Sequence, residues 1–306
     1  MSQATVITPR GPFAWSASFD MLKTWQPVRH FARPDGTALI AFGRDGSFEP
    51  VGAIVREDGS TVTVEIGGTR ASAAALAQVA RMFSLDVDAT DYPLVGRRDA
   101  AIGRVMRAFP GLRPVIFPSP YEAAVWAVLS QRIAQAQAAR VKAALTAAYG
   151  DVVRIGTQDV RALPAPERLL RVKTFAGVPA EKITRLHGVA RAALDGVLDV
   201  THLKELGYEK ALLALQQIRG IGPFWSGGIY LRAAGVTEPF PIDEPRTVRA
   251  LADAHDLSDV PSGDELRQIV ERLKPFGMWV SVLLRVAANR GSMGEAARPA
   301  KLATSG

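Results

Sequence analysis

Asp243, in the segment FPIDEPR at 240–246, is the residue of this chain best suited to chemistry. Prolines on both sides stiffen its loop. A carboxylate held in such a loop can stabilise developing positive charge or take a proton from water. Upstream, QIRGIGPFWSGG at 217–228 carries Gly220, Ile221 and Gly222 followed by Pro223. The two glycines permit a turn with close backbone approach, and Pro223 suits the first position of a helix. The free amides and dipole of that helix start make an anion site indifferent to base sequence, and a phosphodiester is its natural occupant. Aromatic rings lie near both features: Phe224 and Trp225 after the turn, Phe276 and Trp279 within KPFGMW at 274–279. Such rings could stack an extruded base, and their faces attract one that carries positive charge. Plainer readings stand beside these. The hairpin is also the pattern of a glycine-capped helix–turn–helix, the aspartate is also a common N-cap, and each ring is also a core residue. Glu244 competes with Asp243 as the working acid.

The elements that must position these groups fall into two regimes. In the first hundred residues, Asp35-Gly36, Asp45-Gly46 and Asp58-Gly59 punctuate β-forming segments, and 61–66 alternates at period two. This predicts an antiparallel sheet with hairpin turns, then a helix over about 70–83. From 99 to 289 the pattern is helical: an alanine-rich stretch at 121–149, then 167–172, 180–194, 208–218, 265–273 and 279–288. Leu212, Leu215 and Ile218 give the helix before the turn a buried stripe. The expected fold is α+β, an N-terminal antiparallel sheet with a helix at 1–95 followed by an all-α hairpin-bearing domain at 96–290. Residues 291–306 are expected to form a flexible tail.

Composition narrows the classes. The 306 residues are 48% hydrophobic and 22% charged, which suits a soluble globular chain of about two domains. A net charge of +7 favours an acidic partner, and Arg97, Arg98, Arg104, Arg107 and Arg113 could line a phosphate track or a solvated helix face. The absence of cysteine excludes disulfides, thiolate zinc and cysteine-ligated iron–sulfur clusters. His30, His187, His202 and His255 show no metal-ligand spacing, so no metal site is expected. No apolar run spans a bilayer, no secretory signal opens the chain, and a cytoplasmic, bacterial-type protein is expected.

The hairpin, the downstream Pro-x-Asp, the run PGLRPVIFPSPYEAAVWAVLSQRIAQAQAARV at 110–141 and KPFGMW occur in one order. Together with the N-terminal sheet, they resemble the helix-hairpin-helix (HhH-GPD) base-excision DNA glycosylase superfamily, closest to its 3-methyladenine DNA glycosylase II branch. The resemblance covers most of the chain. It implies a TBP-like N-terminal sheet domain and a monomer acting on double-stranded DNA with damaged bases. It places Asp243 at the catalytic aspartate, and Phe224 and Phe276 at pocket aromatics beside Trp225 and Trp279. Met21 falls near an N-terminal pocket ring. Gln131 and Arg132 fall where relatives wedge into the gap left by a flipped nucleotide. Gly220, Ile221 and Gly222 fall on the phosphate-binding hairpin, with Ser226 and Arg246 as further DNA contacts. The resemblance requires no cofactor and allows a monovalent cation on the hairpin carbonyls.

Departures matter as well. Where bifunctional relatives carry a lysine nucleophile this chain has Phe224, and no lysine lies between Gly220 and Asp243. A Schiff-base lyase step therefore lacks its amine. Arg132 stands in place of an apolar wedge, and Gly228 in place of an aromatic ring. The activity expected is monofunctional hydrolysis of the N-glycosidic bond of alkylated purines, of the 3-methyladenine or 7-methylguanine type. The alternatives are a non-catalytic damaged-DNA-binding module and a glycosylase for an oxidised or deaminated base.

Overall fold

A computed structural model of the chain describes residues 3–67 and 73–291. In chain order the strands and helices are β1 (Gln3–Ile7), α1 (Trp15–Thr24), β2 (Ala38–Gly43), β3 (Pro50–Asp58), β4 (Thr61–Gly67) and α2 (Ala73–Met82). There follow α3 (Tyr92–Arg98), α4 (Ala100–Ala108), α5 (Pro120–Ser130), α6 (Gln135–Tyr149), β5 (Val152–Ile155), β6 (Gln158–Arg161), α7 (Pro166–Leu169) and α8 (Ala180–Leu194). The last are α9 (Val200–Gln216), α10 (Pro223–Ala233), α11 (Pro245–Ala254), α12 (Gly263–Leu273) and α13 (Gly277–Asn289). The chain forms two compact units. One comprises Met1–Arg10, Ser18–Val87 and Val115–Val236, the other Gly11–Ala17, Asp88–Pro114 and Thr237–Gly306. The boundary expected near residue 95 falls inside the 88–114 segment of the second unit. The tail expected beyond 291 lies outside the described residues.

The first unit holds a four-stranded antiparallel sheet in the order β1-β4-β3-β2. In β4, Val62, Val64 and Ile66 are buried and Thr61 and Glu65 are partly exposed, but Thr63 is buried too, so the alternation in burial is incomplete. Gly36, Gly46 and Gly59 each have positive φ at the expected turns. A second hairpin, β5–β6, lies in the region read as wholly helical. Its Val153 and Ile155 pack over Gly52 of β3 and Gly67 of β4, where the missing side chains leave room. Four-residue strands are too short to show a period, so this hairpin left no readable signal.

The alanine-rich stretch divides into two helices, α5 and α6. The break falls at 131–134, where Arg132 takes φ 57° although no glycine or proline is present. Tertiary contacts therefore impose it. Between these helices Lys142 and Glu122 form a buried pair at 3.2 Å, and Lys142 also donates to Pro27 O at 3.2 Å. Burial raises the Glu122 pKa, with the Lys142 charge opposing. Pro120 after the N-cap Ser119, whose hydroxyl accepts from the Glu122 amide at 3.1 Å, sets the start of α5.

The second unit packs α4, α11 and α13 together, with α3 and α12 beside them. Its core is aromatic. Trp279, 1% exposed, meets Tyr92 at 5.2 Å and Phe276 at 5.3 Å between ring centres. Arg113 is fully buried here, contrary to any role in a surface phosphate track. Its Nε donates to Pro12 O at 3.0 Å, and its guanidinium lies 5.6 Å from the Trp279 ring and 5.7 Å from Phe13. A planar cation that must be buried is well served by ring faces plus a carbonyl. Arg98 and Arg104 are also engaged, with Lys274 O and with Ala254 O and Asp256 respectively, while Arg97 and Arg107 remain exposed. Among the described residues no helix is long and apolar enough to cross a membrane.

Candidate functional site

The glycine turn belongs to the first unit and joins α9 to α10 as the sequence predicts. Leu215 and Ile218 are buried beneath it, and the Ile221 amide returns to Ile218 O at 2.9 Å. Ile221 is itself buried, so the apolar residue between the glycines anchors the turn from inside while Gly222 stays exposed. Gly220 has φ 94°, a conformation that a Cβ makes costly. Gly222 is the N-cap of α10 and Pro223 its first residue. The Ser226 amide closes the first helical bond to Gly222 O at 2.9 Å. Among the described residues the amides of Gly222, Phe224 and Trp225 have no protein acceptor, so three donors and the helix dipole face outward together.

The side chains around the turn divide sharply. Ser226 is fully buried, its hydroxyl donating to Pro223 O at 2.9 Å and accepting from Gln216 Nε2 at 3.2 Å. It staples the turn from within, so it is a structural residue and not the surface DNA contact expected. Phe224 is 59% exposed and packs edge-on against Trp225, their ring centres 5.2 Å apart. An exposed ring of that size beside unpaired amides is an apolar face offered to something outside the fold.

Of the two residues expected to act as a wedge, Gln131 sits directly against this turn. Gln131 is the C-cap of α5, and its Nε2 donates to Gly220 O at 2.6 Å. Arg132 is exposed, with no side-chain partner among the described residues. Sequence reasoning missed α8 altogether as part of this site. Arg185 Nη1 donates to Gln131 Oε1 at 2.5 Å, and Lys182 Nζ donates to Leu129 O at 2.7 Å. Nothing in the spacing of 180–194 announces these long-range partners.

Asp243 lies in the second unit, at the tip of a loop braced by backbone contacts. Met278 N–H donates to Thr237 O at 2.9 Å, and a Cβ on Gly277 would meet Phe240 N at 2.8 Å. KPFGMW thus needs its glycine because the segment leading to the acid crosses it. Two tight turns follow, Ile242 N to Phe240 O at 3.0 Å and Glu244 N to Pro241 O at 3.2 Å. Glu244, not Asp243, caps α11. Its carboxylate accepts from the Thr247 amide at 2.7 Å, the Arg246 amide at 3.3 Å and the Thr247 hydroxyl. Pro245 is the signal that could have settled this, because proline at the first helical position puts the cap one residue earlier, at 244. Asp243 is exposed and, among the described residues, its carboxylate has no hydrogen-bond or ion-pair partner. Arg246 is exposed two residues on. Phe276 and Trp279 are buried in the aromatic core of this unit, and Met21 is buried in the first, its Sδ accepting from the Val115 amide at 3.4 Å.

No family model matches the chain. Over 203 residues it is 28% identical to the DNA-3-methyladenine glycosylase of Bacillus subtilis, a stretch covering 65% of this chain and 66% of that one. It is 28% identical over 219 residues to DNA-3-methyladenine glycosylase 2 of Escherichia coli, covering 70% and 72%. The solved 3-methyladenine DNA glycosylase of Archaeoglobus fulgidus superposes with a TM-score of 0.77 at 20% identity, over 94% of this chain and 99% of that one. By sequence the chain is similar to these two glycosylases, and by fold to the Archaeoglobus enzyme. Its α+β architecture is shared with that solved structure, and a glycine turn joins α9 to α10. Phe224 stands where the resemblance drawn from the sequence expects a lysine.

Proposed function

We propose that this protein is a monofunctional DNA glycosylase that releases alkylated purines, of the 3-methyladenine or 7-methylguanine type, from duplex DNA. The observation that carries the reading is the division of labour between two adjacent acids: Glu244 is consumed by the helix cap, and Asp243 is exposed and uncommitted. A structural aspartate would have a partner. The names of the two sequence relatives support the alkylated-base substrate.

In this mechanism the outward amides of the hairpin hold a backbone phosphate and the damaged nucleotide is extruded. Alkylation has already made the base cationic, so it leaves as a neutral molecule when the C1′–N bond breaks with its electron pair. Positive charge then spreads over C1′ and the ring oxygen. The Asp243 carboxylate stabilises that charge, and water adds to C1′ with loss of a proton. With Phe224 where a nucleophilic lysine would stand, and no lysine from 220 to 243, no covalent imine forms and the abasic strand stays intact. The exposed Phe224 ring supplies a stacking face for a cationic base. The Gly220 carbonyl already receives Gln131, so a backbone-held cation would rely on the other carbonyls of the turn.

The test is Asp243→Asn on methylated duplex DNA. Base release should fall by about 10²-fold or more, while affinity for the same duplex stays within about twofold of wild type. Wild-type release by the variant would refute the assignment. Strand cleavage at the product site without added base would refute the monofunctional reading.

A further inference from the structure

Arg185 sits at the centre of a relay that neither the hairpin nor the wedge reading requires. Its Nη1 donates to Gln131 Oε1 at 2.5 Å, and Gln131 in turn donates through Nε2 to Gly220 O at 2.6 Å. Its Nη2 pairs with Glu181, one turn earlier on α8. Its aliphatic stem lies on the turn itself, since a Cβ at Gly220 would come within 2.7 Å of Arg185 Cδ. Its Nε is buried without an acceptor among the described residues. The neighbouring Lys182 holds Leu129 O in the last turn of α5. One helix thus grips both the end of α5 and the phosphate-binding turn, at the point where the backbone leaves the helical path through Arg132 at φ 57°.

We infer that Arg185 is a positioning residue that couples insertion of Gln131 into the duplex to the backbone grip of the Gly220 turn. The inference rests on the glycosylase reading for its biological meaning, but the coupling itself is a statement about binding. Gln131 cannot enter a base stack while its amide spans Gly220 O and the guanidinium. Its departure frees Arg185 Nη1 beside the already unpaired Nε, two donors at the edge of a turn built to hold a phosphate. Release of the wedge and strengthening of the grip are therefore one event.

The experiment is a double-mutant cycle of Gln131→Ala and Arg185→Met, the methionine keeping an apolar stem on Gly220. The readout is affinity for a duplex carrying a tetrahydrofuran abasic-site analogue, which involves no base release. Each single variant should bind this duplex about tenfold more weakly, the scale of one charge-assisted hydrogen bond. The double variant should be no weaker than the worse single one. Affinity for undamaged duplex should change by less than about twofold, which a merely structural role would not allow. Arg185→Lys, which retains a cation near Gln131, should recover part of the loss and guards against a misfolded methionine variant. Additive losses, or equal losses on damaged and undamaged duplex, would overturn the inference. Failure of the wild type to release any methylated base would sink the proposed function and leave this cycle readable.

Discussion

Asp99 offers the sharpest quantitative handle on the second unit. Its carboxylate is 2% exposed and has four donors around it. Oδ1 accepts the Ile102 amide at 3.1 Å, capping α4; Oδ2 accepts His255 Nε2 at 3.0 Å and Arg272 Nε at 3.1 Å and Nη2 at 3.0 Å. Burial alone would raise its pKa. The hydrogen bonds from His255, the Ile102 amide and Arg272, with the His255 charge, outweigh burial and hold it at about 2 against an ordinary 3.8. That depression corresponds to roughly 2 kcal/mol of folding stability. His255 is the mirror case. Burial pushes its pKa down, but Asp99 on Nε2 and Leu251 O at 2.9 Å on Nδ1 win and raise it above 6.5, because only the imidazolium can donate to both. The signs follow. Asp99's contribution is complete above pH 3.8 and drains away as pH falls towards 2, whereas that of His255 is complete below pH 6.5 and drains away as pH rises through its folded value. Asp99→Asn can keep the Oδ1 cap on Ile102, but it removes the charge and replaces the Oδ2 acceptor with an NH2 donor that faces the donors of His255 and Arg272. We expect it to cost about 2–4 kcal/mol, the penalty for removing the buried carboxylate that His255 and Arg272 share. The melting temperature should drop by about 5–10 °C at pH near 6. The wild type should lose stability as pH rises above 6.5 and the variant should lose less, because its imidazole is no longer held charged. Thermal unfolding followed by circular dichroism below and above that pH decides it. A variant that melts with the wild type, or keeps the same pH slope, would show that the cluster is solvated and contributes nothing.

Two further outcomes test the hairpin and the acid loop. Gly220→Ala forces a side chain into φ 94° and against Arg185 Cδ at 2.7 Å. It should cost about 1–2 kcal/mol and weaken duplex binding about tenfold by the same distortion; unchanged affinity in a fluorescence-anisotropy titration would remove the turn from the DNA contact. Glu244→Ala should lower stability by about 1 kcal/mol through loss of the α11 cap, while Asp243→Ala should leave the melting temperature within about 1 °C of wild type. The reverse ranking would hand the cap back to Asp243.

The sheet and the hairpin were legible because their signals are local: alternation in 61–66, Asp-Gly turns, glycines followed by proline. The order of elements from 180 to 289 was legible for the same reason, since apolar stripes and breakers mark helices directly. What stayed hidden depends on partners distant in sequence. The break at Arg132 has no local cause, so an uninterrupted helix was the natural expectation. Arg113 looked like part of a basic surface and is instead sandwiched by rings from two other segments. Lys142 and Glu122 sit in alanine-rich helices that reveal nothing of their mutual burial. The identity of the capping acid was readable through Pro245, and the more familiar preference for aspartate at N-caps obscured it.

The brace beneath the Asp243 loop is made of main-chain atoms: one amide of α13 on Thr237 O, and a bare glycine against the Phe240 backbone. Such a scaffold is blind to the identity of the residues it carries. Exposed positions beside it, Ile242 on the loop and Arg246 in the first turn of α11, are free to drift in sequence without disturbing this brace. A lineage can therefore diversify the residues around the Asp243 carboxylate while its backbone support stays the same, and a protein engineer can randomise the same two positions on the same grounds.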